Sequence, residues 1–186
     1  KLIIFDLDGV LVEAKNIHFN AFNEALGDKY SISWNEHLSI YDGLKTFQKL
    51  DILSNRKNLP KSEHNIIWEN KQKITLQKLK NLNQDEKLKK IMYKLSSKGY
   101  KIAVCSNSIR KTVLTVLSKL GIMEYMDLVM SNEDVKNSKP HPEMYWTAMS
   151  KMGFLPEETL IIEDSPYGLL AASRSKSHIL RVKNKP

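Results

Sequence analysis

Two aspartates separated by one residue close the first apolar run of the chain, in "LIIFDLDGV" from Leu2 to Val10. Two carboxylates held close repel, and each becomes harder to ionise, so the arrangement calls for a positive partner. Two apart on an extended backbone, Asp6 and Asp8 point to the same side. Further polar motifs follow other apolar runs: Ser106-Asn107-Ser108 after "KIAVC" and Glu163-Asp164-Ser165 after "TLII". Between them lies Lys139, in "SKPHPEMY". Carboxylates from Asp6, Asp8 and Asp164 suit Mg²⁺, which takes one or two of them and keeps waters and substrate phosphate. The Ser106 hydroxyl and the N–H groups opening the helix after it form an anion site. Lys139 adds a fixed positive charge. Pro140 biases it to an extended backbone, and Pro142 suits the first turn of the next helix. A metal, a lysine, a hydroxyl and helix-end amides around one nucleophilic carboxylate describe phosphoryl transfer through an aspartyl-phosphate.

Such residues need elements to position them. Apolar runs of strand length occur at "LIIF", "KIAVC", "DLVMS", "TLIIE" and "HILRV". Each is continuous, as expected of a strand covered on both faces. Between most of them lie helical periodicities, "RKTVLTVLSKLG", "PEMYWTAMSKMG" and "YGLLAASRSK", with Gly121 and Gly153 as C-terminal stops. Strand–helix alternation predicts an α/β fold, a parallel sheet with helices on both faces. In such a sheet ligands bind beyond the carboxyl ends of the strands, where the polar motifs fall. Residues 14–83 break the rhythm. They hold no convincing strand, and "NIHFNAFNEALG", "GLKTFQKLDILS" and "SEHNIIWENKQKITLQKL" read as helices. The expected organisation is a Rossmann-like core of residues 1–13 and 84–186 interrupted by an all-helical insert of residues 14–83.

Composition narrows the function classes. With 186 residues and 41% apolar content, the chain suits one core with an insertion and excludes disorder. No apolar run approaches the roughly 18 residues that span a bilayer. No signal-peptide pattern opens the chain, and a single cysteine, Cys105, fits a reducing compartment, so a cytoplasmic location is expected. Cys105 itself reads as an inert core thiol, and Trp34, Trp68 and Trp146 as packing residues. The net charge of +8 is mostly lysine, densest from Lys71 to Lys101. There the lysines read as a solvated helix face opposite Ile74, Leu79, Leu88, Ile91 and Leu95. Without aromatic interleaving or a nucleic-acid motif, no nucleic-acid partner is expected; the positive field suits small phosphorylated anions.

The motifs "DLDGVLVE", "SNS", "KPHPEMY" and "EDSPYG" resemble, in order and spacing, motifs I to IV of the haloacid dehalogenase superfamily. The helical insert resembles the cap of the subfamily containing β-phosphoglucomutase and phosphoglycolate phosphatase. The resemblance implies that Asp6 is the nucleophile. Asp8 is the acid that protonates the leaving oxygen and the base that then activates water, with its backbone carbonyl on the metal. Asp6, Asp8, Glu163 and Asp164 become the metal set, and Ser106, Asn107 and Lys139 hold the phosphoryl group. Gly9 lets the chain turn away towards the cap. His18 resembles a histidine that orients the acid/base, and Lys71 a cap lysine that reaches substrate. One departure concerns Glu13-Ala14, where relatives carry Asp-Thr or Asp-Ser, so that Ala14 lacks a hydroxyl that in the sugar mutases helps position the acid/base. Tyr41 to Leu44, "YDGL", resembles the cap's specificity loop.

The resulting expectation is a Mg²⁺-dependent phosphatase, monomeric, acting on a small phosphorylated metabolite such as a sugar phosphate. A β-phosphoglucomutase-like phosphotransferase would use the same core. A non-catalytic phosphate-binding or partner-binding module is the alternative from another class, and loss of a core carboxylate would favour it.

Overall fold

In a computed structural model, residues 1–182 are described. The expected core segment 84–186 thus ends in four residues, 183–186, that lie outside the described residues. The chain divides into two compact units, Lys1–Glu13 with Leu82–Pro186, and Ala14–Asn81.

The first unit is built on five parallel strands, β1 (Leu2–Phe5), β2 (Lys101–Cys105), β3 (Leu128–Met130), β4 (Thr159–Glu163) and β5 (His178–Arg181), in the order β3-β2-β1-β4-β5. β1 is central. Leu2 lies opposite Lys101 on one side and Thr159 on the other, and Phe5 opposite Val104 and Ile162. All four β1 residues are buried, because side chains alternate between faces and both faces are covered. On one face Leu2, Ile4, Ala103, Cys105 and Ile161 pack against Met144, Tyr145, Ala148 and Met149 and against Ala171 and Ala172.

Four α-helices belong to this unit among the described residues. Of these, Glu86–Ser97 and Arg110–Leu120 connect β1 to β2 and β2 to β3, Glu143–Met152 precedes β4, and Pro166–Ser175 follows it. Asp85 caps the first of them through Oδ1, which accepts from Lys87 N at 3.0 Å and Leu88 N at 2.9 Å. The helices Arg110–Leu120 and Glu143–Met152 end at Gly121 and Gly153, both left-handed, with φ of 71° and 72°, a conformation that a Cβ disfavours.

The second unit is helical throughout: α1 (Lys15–Leu26), α2 (Trp34–Glu36), α3 (Thr46–Lys57) and α4 (His64–Leu79), with a π-turn at His37–Tyr41. No strand occurs in it among the described residues. Its core gathers Phe22, Leu26, Tyr30, Tyr41, Leu50, Leu53 and Ile67. In chain order the first unit's helices are then α5 (Glu86–Ser97), α6 (Arg110–Leu120), α7 (Glu143–Met152) and α8 (Pro166–Ser175).

Four sequence expectations differ. β5, expected to be covered on both faces, is exposed at all four residues, as the outermost strand of the order β3-β2-β1-β4-β5. Ile91 is 50% exposed, and Met92 takes the buried position on α5 with Leu88 and Leu95 half-buried. That is one i, i+4, i+7 stripe, and Ile91 falls beside it. Trp146 is 48% exposed, its ring edge-on to His141, so it lies at the surface rather than in the core. Lys71 leaves the solvated lysine face and is buried on α4 with Ile67, Gln72, Thr75 and Leu79.

Candidate active site

The site is assembled at the carboxyl ends of β1, β2 and β4. Asp6 extends β1 by one rung, its N–H donating to Ile162 O at 2.9 Å, and is buried. Asp8 follows in a tight loop in which Val12 N donates to Leu7 O and Gly9 N to Val12 O, at 3.1 and 2.7 Å. Gly9, at φ 91°, makes that turn possible.

Lys139 is 2% exposed. Its ammonium donates to Asp6 Oδ1 at 2.6 Å, Glu163 Oε1 at 2.6 Å and Cys105 O at 2.8 Å, occupying all three of its hydrogens. Its backbone is held by Asn107: Lys139 N donates to Asn107 Oδ1 at 3.1 Å, and Asn107 Nδ2 to Lys139 O at 3.0 Å. Asn107 thus ties the end of β2 to the segment carrying the lysine.

Glu163 is fully buried. Its Oε1 accepts from Lys139 and from the Tyr145 hydroxyl at 2.7 Å, and its Oε2 from Asp164 N at 3.1 Å and Ser165 Oγ at 3.3 Å. The carboxylate lies directly over Gly168, where a Cβ would meet Oε1 at 1.9 Å. Ser165 caps α8, accepting from Gly168 N at 3.1 Å.

Ser106 is buried, and its Oγ accepts from Ser108 N at 3.0 Å. Its own O–H can turn to an incoming oxygen. The Ser108 hydroxyl donates to Asp8 Oδ2 at 3.1 Å.

Asp6, Glu163 and Asp164 each offer a carboxylate oxygen, and these oxygens lie within 4.8 Å of one another. Against the three carboxylates stands one ammonium. Burial, then repulsion from Glu163, pushes the Asp6 carboxyl well above the usual carboxylate range despite the opposing pull of Lys139. For Lys139, burial works against the charge, but Asp6 and Glu163 outweigh it and hold the ammonium firmly protonated. The cluster therefore remains short of positive charge. Its all-oxygen, anionic donor set fits a hard divalent cation.

Residues 3–182 match the family model of the haloacid dehalogenase-like hydrolases. The chain belongs to this family. Among relatives of this HAD-like hydrolase is the phosphorylated carbohydrates phosphatase of Thermotoga maritima, 27% identical over 176 residues, spanning 91% of this chain and 79% of the relative. Pyrophosphatase PpaX of Oceanobacillus iheyensis is 27% identical over 180 residues, 94% of this chain and 79% of that one. A solved β-phosphoglucomutase from Clostridium difficile shares the fold with a TM-score of 0.88 at 24% identity, covering 98% of this chain and 84% of that one. CbbY of Rhodobacter sphaeroides, solved with xylulose-(1,5)bisphosphate, also has a TM-score of 0.88, at 20% identity and 99% and 86% coverage. The protein is a phosphatase or phosphotransferase of the HAD family, and no helix among its described residues is long and apolar enough to cross a membrane.

In this HAD-like enzyme Asp6, Lys139, Glu163 and Asp164 form one cluster; the Asp8 carboxylate is not one of its members but lies near enough to oppose ionisation of Asp6, and Ser106 and Asn107 follow the end of β2. His18 and Lys71 meet in the helical unit, with Lys71 Nζ 3.3 Å from His18 Nδ1. In the same unit Lys15 pairs with Asp42 at 3.0 Å, and the buried Lys49 lies 5.7 Å from the Phe22 ring centroid. His37, 1% exposed, stacks on Trp34 at 5.3 Å. Burial first, then the charge of Lys49, pushes its pKa down to about 4. Three residues of the catalytic unit escape the sequence reading: Ser108, Tyr145 and Gly168. Each lies inside a recognised motif, yet each acts through a hydroxyl direction or a missing Cβ, which spacing does not report. Cys105 is a core thiol, its pKa raised to about 12 by burial.

Proposed function

We propose that the protein is a Mg²⁺-dependent phosphatase that hydrolyses a small phosphomonoester, a sugar phosphate in particular, through a phosphorylated Asp6. The observation that carries this reading is the buried Asp6 held at 2.6 Å by Lys139 inside the carboxylate cluster with Glu163 and Asp164. An Asp6 oxygen attacks phosphorus and the bond to the alcohol oxygen breaks. That oxygen takes its proton from Asp8. Asp8 then takes a proton from water, whose oxygen attacks phosphorus and releases phosphate from Asp6. Ser106, Asn107 and Lys139 hold the phosphoryl group, Lys139 turning one N–H from its present acceptors to a phosphoryl oxygen. Asp6, the Asp8 carbonyl, Asp164 and Glu163 would hold Mg²⁺, which supplies charge neutralisation to the phosphoryl group.

Residues 14–83 are read as the cap that selects substrate, with His18 and Lys71 as its polar contacts, a reading supported by their contact within one unit. The relative named a phosphorylated carbohydrates phosphatase supports a sugar phosphate, and the single, buried cysteine supports a cytoplasmic location. A monomer suffices for this chemistry.

The second reading is a phosphotransferase resembling β-phosphoglucomutase, favoured by the fold neighbour of that name. A mutase must keep water from the aspartyl-phosphate until a sugar phosphate arrives. Ala14 cannot supply the hydroxyl that helps gate the acid/base in such enzymes, which favours attack by water. One coupled assay, primed with a sugar bisphosphate, follows phosphate release and isomerisation of β-glucose phosphates together, with Mg²⁺ and with EDTA. Net phosphate release in excess of isomerisation, abolished by EDTA, is expected. Faster isomerisation overturns the hydrolase reading, and equal rates with EDTA overturn the metal.

A further inference from the structure

We infer that Ser108 is the positioning residue for the acid/base, supplying from the end of β2 a hydroxyl that Ala14 does not provide. The inference rests on the aspartyl-phosphate reading above, and it concerns only how Asp8 is aimed. The Ser108 hydroxyl donates to Asp8 Oδ2 at 3.1 Å, across 100 residues of sequence. Its own backbone is pinned on both sides. Ser108 N donates to Ser106 Oγ at 3.0 Å, and Ser108 O accepts from Asn132 N at 3.1 Å. Asn132 is tied in turn to Asn107 O at 2.9 Å. The hydroxyl therefore projects from a loop with little freedom of its own, whereas Asp8 sits on a turn built around Gly9.

The chemistry of the group fits the task. Asp8 must be a carboxylic acid while the alcohol leaves and a carboxylate while water attacks. A serine hydroxyl donates one hydrogen without carrying a charge, so it can donate to Asp8 Oδ2 both when Asp8 is a carboxylate and when the acid proton sits on Oδ1. A lysine in that place would favour the carboxylate alone. Ser108 thus holds one Asp8 oxygen in both half-reactions and leaves the other to exchange the proton.

Positioning an acid matters only when the leaving oxygen needs a proton. Alkyl phosphates need it; p-nitrophenyl phosphate, whose phenolate leaves readily, does not. The test compares kcat/KM for a hexose phosphate and for p-nitrophenyl phosphate, both with Mg²⁺, in wild type, Ser108→Ala, Ser108→Thr and Ser108→Val, with Asp8→Asn alongside. General acid–base catalysis contributes roughly a hundred- to ten-thousandfold, and misdirection forfeits part of it. Ser108→Ala is expected to lose about tenfold or more with the hexose phosphate and less than about threefold with the aryl phosphate. Thr and Val have the same shape and differ in the hydroxyl, so Ser108→Thr keeps the hexose phosphate activity that Ser108→Val loses; this pair decides the matter if the alanine variant does not fold. Equal losses with both substrates, or equal behaviour of Thr and Val, overturn the inference. If Asp8→Asn shows the selective loss and no Ser108 variant does, only Ser108 falls. If Asp8→Asn keeps hexose phosphate turnover, the acid/base reading falls with it.

Discussion

Gly168→Ala tests whether the buried Glu163 carboxylate is what sets the place of Lys139. The added methyl would lie 1.9 Å from Glu163 Oε1 and 2.1 Å from its Cδ. Ordinary carbon contacts begin near 3.5 Å, so the carboxylate must retreat by roughly 1.5 Å. The bonds of 2.6 Å to Lys139 and 2.7 Å to Tyr145 then pass out of hydrogen-bonding reach, and the ammonium follows one carboxylate or the other. A displacement of about 1 Å at a reacting centre costs on the order of a hundredfold in rate. Stability should change much less. Overpacking costs about 1–3 kcal/mol, and replacing glycine within a helix returns up to about 1 kcal/mol. The expected result is a folded variant, destabilised by at most about 2 kcal/mol in a urea titration, with kcat/KM for p-nitrophenyl phosphate down about a hundredfold. Activity within threefold of wild type would show that Glu163 does not set the position of Lys139, and the reasoning from that contact would be wrong.

Asp6→Asn should leave the circular dichroism spectrum unchanged and lower turnover by more than roughly a thousandfold, since nucleophile and base act as a unit; residual activity above about a hundredth would dismiss Asp6 as nucleophile. His37 has a native pKa near 4 against an ordinary 6.5, so its contribution is complete above pH 6.5 and is lost as pH falls towards 4. Urea titrations should show up to about 3 kcal/mol of acid destabilisation in the helical unit. His37→Leu should abolish it, although Lys49, Asp42, His18 and Lys15 still surround the position. Asp127, held low by Lys101 at 2.6 Å and Ile102 N at 2.9 Å against the effect of burial, stabilises above its unfolded pKa. Asp127→Asn should cost about 1 kcal/mol at neutral pH and nothing once acid has protonated the wild-type carboxyl.

Much of the fold is readable from the residues because the central strands of the sheet are covered on both faces. "LIIF", "KIAVC" and "TLIIE" are continuous apolar runs for that reason, and they are β1, β2 and β4. Gly121 and Gly153 mark helix ends because left-handed backbone excludes most other residues. The polar motifs could be set together because parallel strands bring their carboxyl ends to one edge. Side-chain direction is a different matter. On α4 periodicity places lysines outward, yet Lys71 turns inward to His18 while Ile66 is 60% exposed. The half-buried partner that decides this lies 53 residues away in sequence. The π-turn at His37–Tyr41 shifts the helical phase within five residues, too short a stretch for a pattern to register. Asn107 reads as a phosphate contact, and the sequence does not report that its side-chain amide also grips the Lys139 backbone, a pairing 32 residues apart that only the fold brings about.

The register of β1 also bears on how the protein reaches its native state. Its neighbours begin at Lys101 and Thr159. A ribosome therefore makes "LIIF" well before either neighbour, and β4 well after β2. Until β2 is made the four-residue apolar segment has no strand partner, until β4 is made it is paired on one side only, and pairings at such separation are slow to close. The helical unit, whose contacts lie within residues 14–81, has no such wait. Asp6 continues the same strand, and its N–H pairs with Ile162. With the role proposed for Asp6, catalytic competence is a late event of biogenesis: a chain that has not threaded β1 between its neighbours does not hold the Asp6 carboxylate in place. Recovery of activity on refolding should report completion of the sheet, lagging behind the return of helical signal.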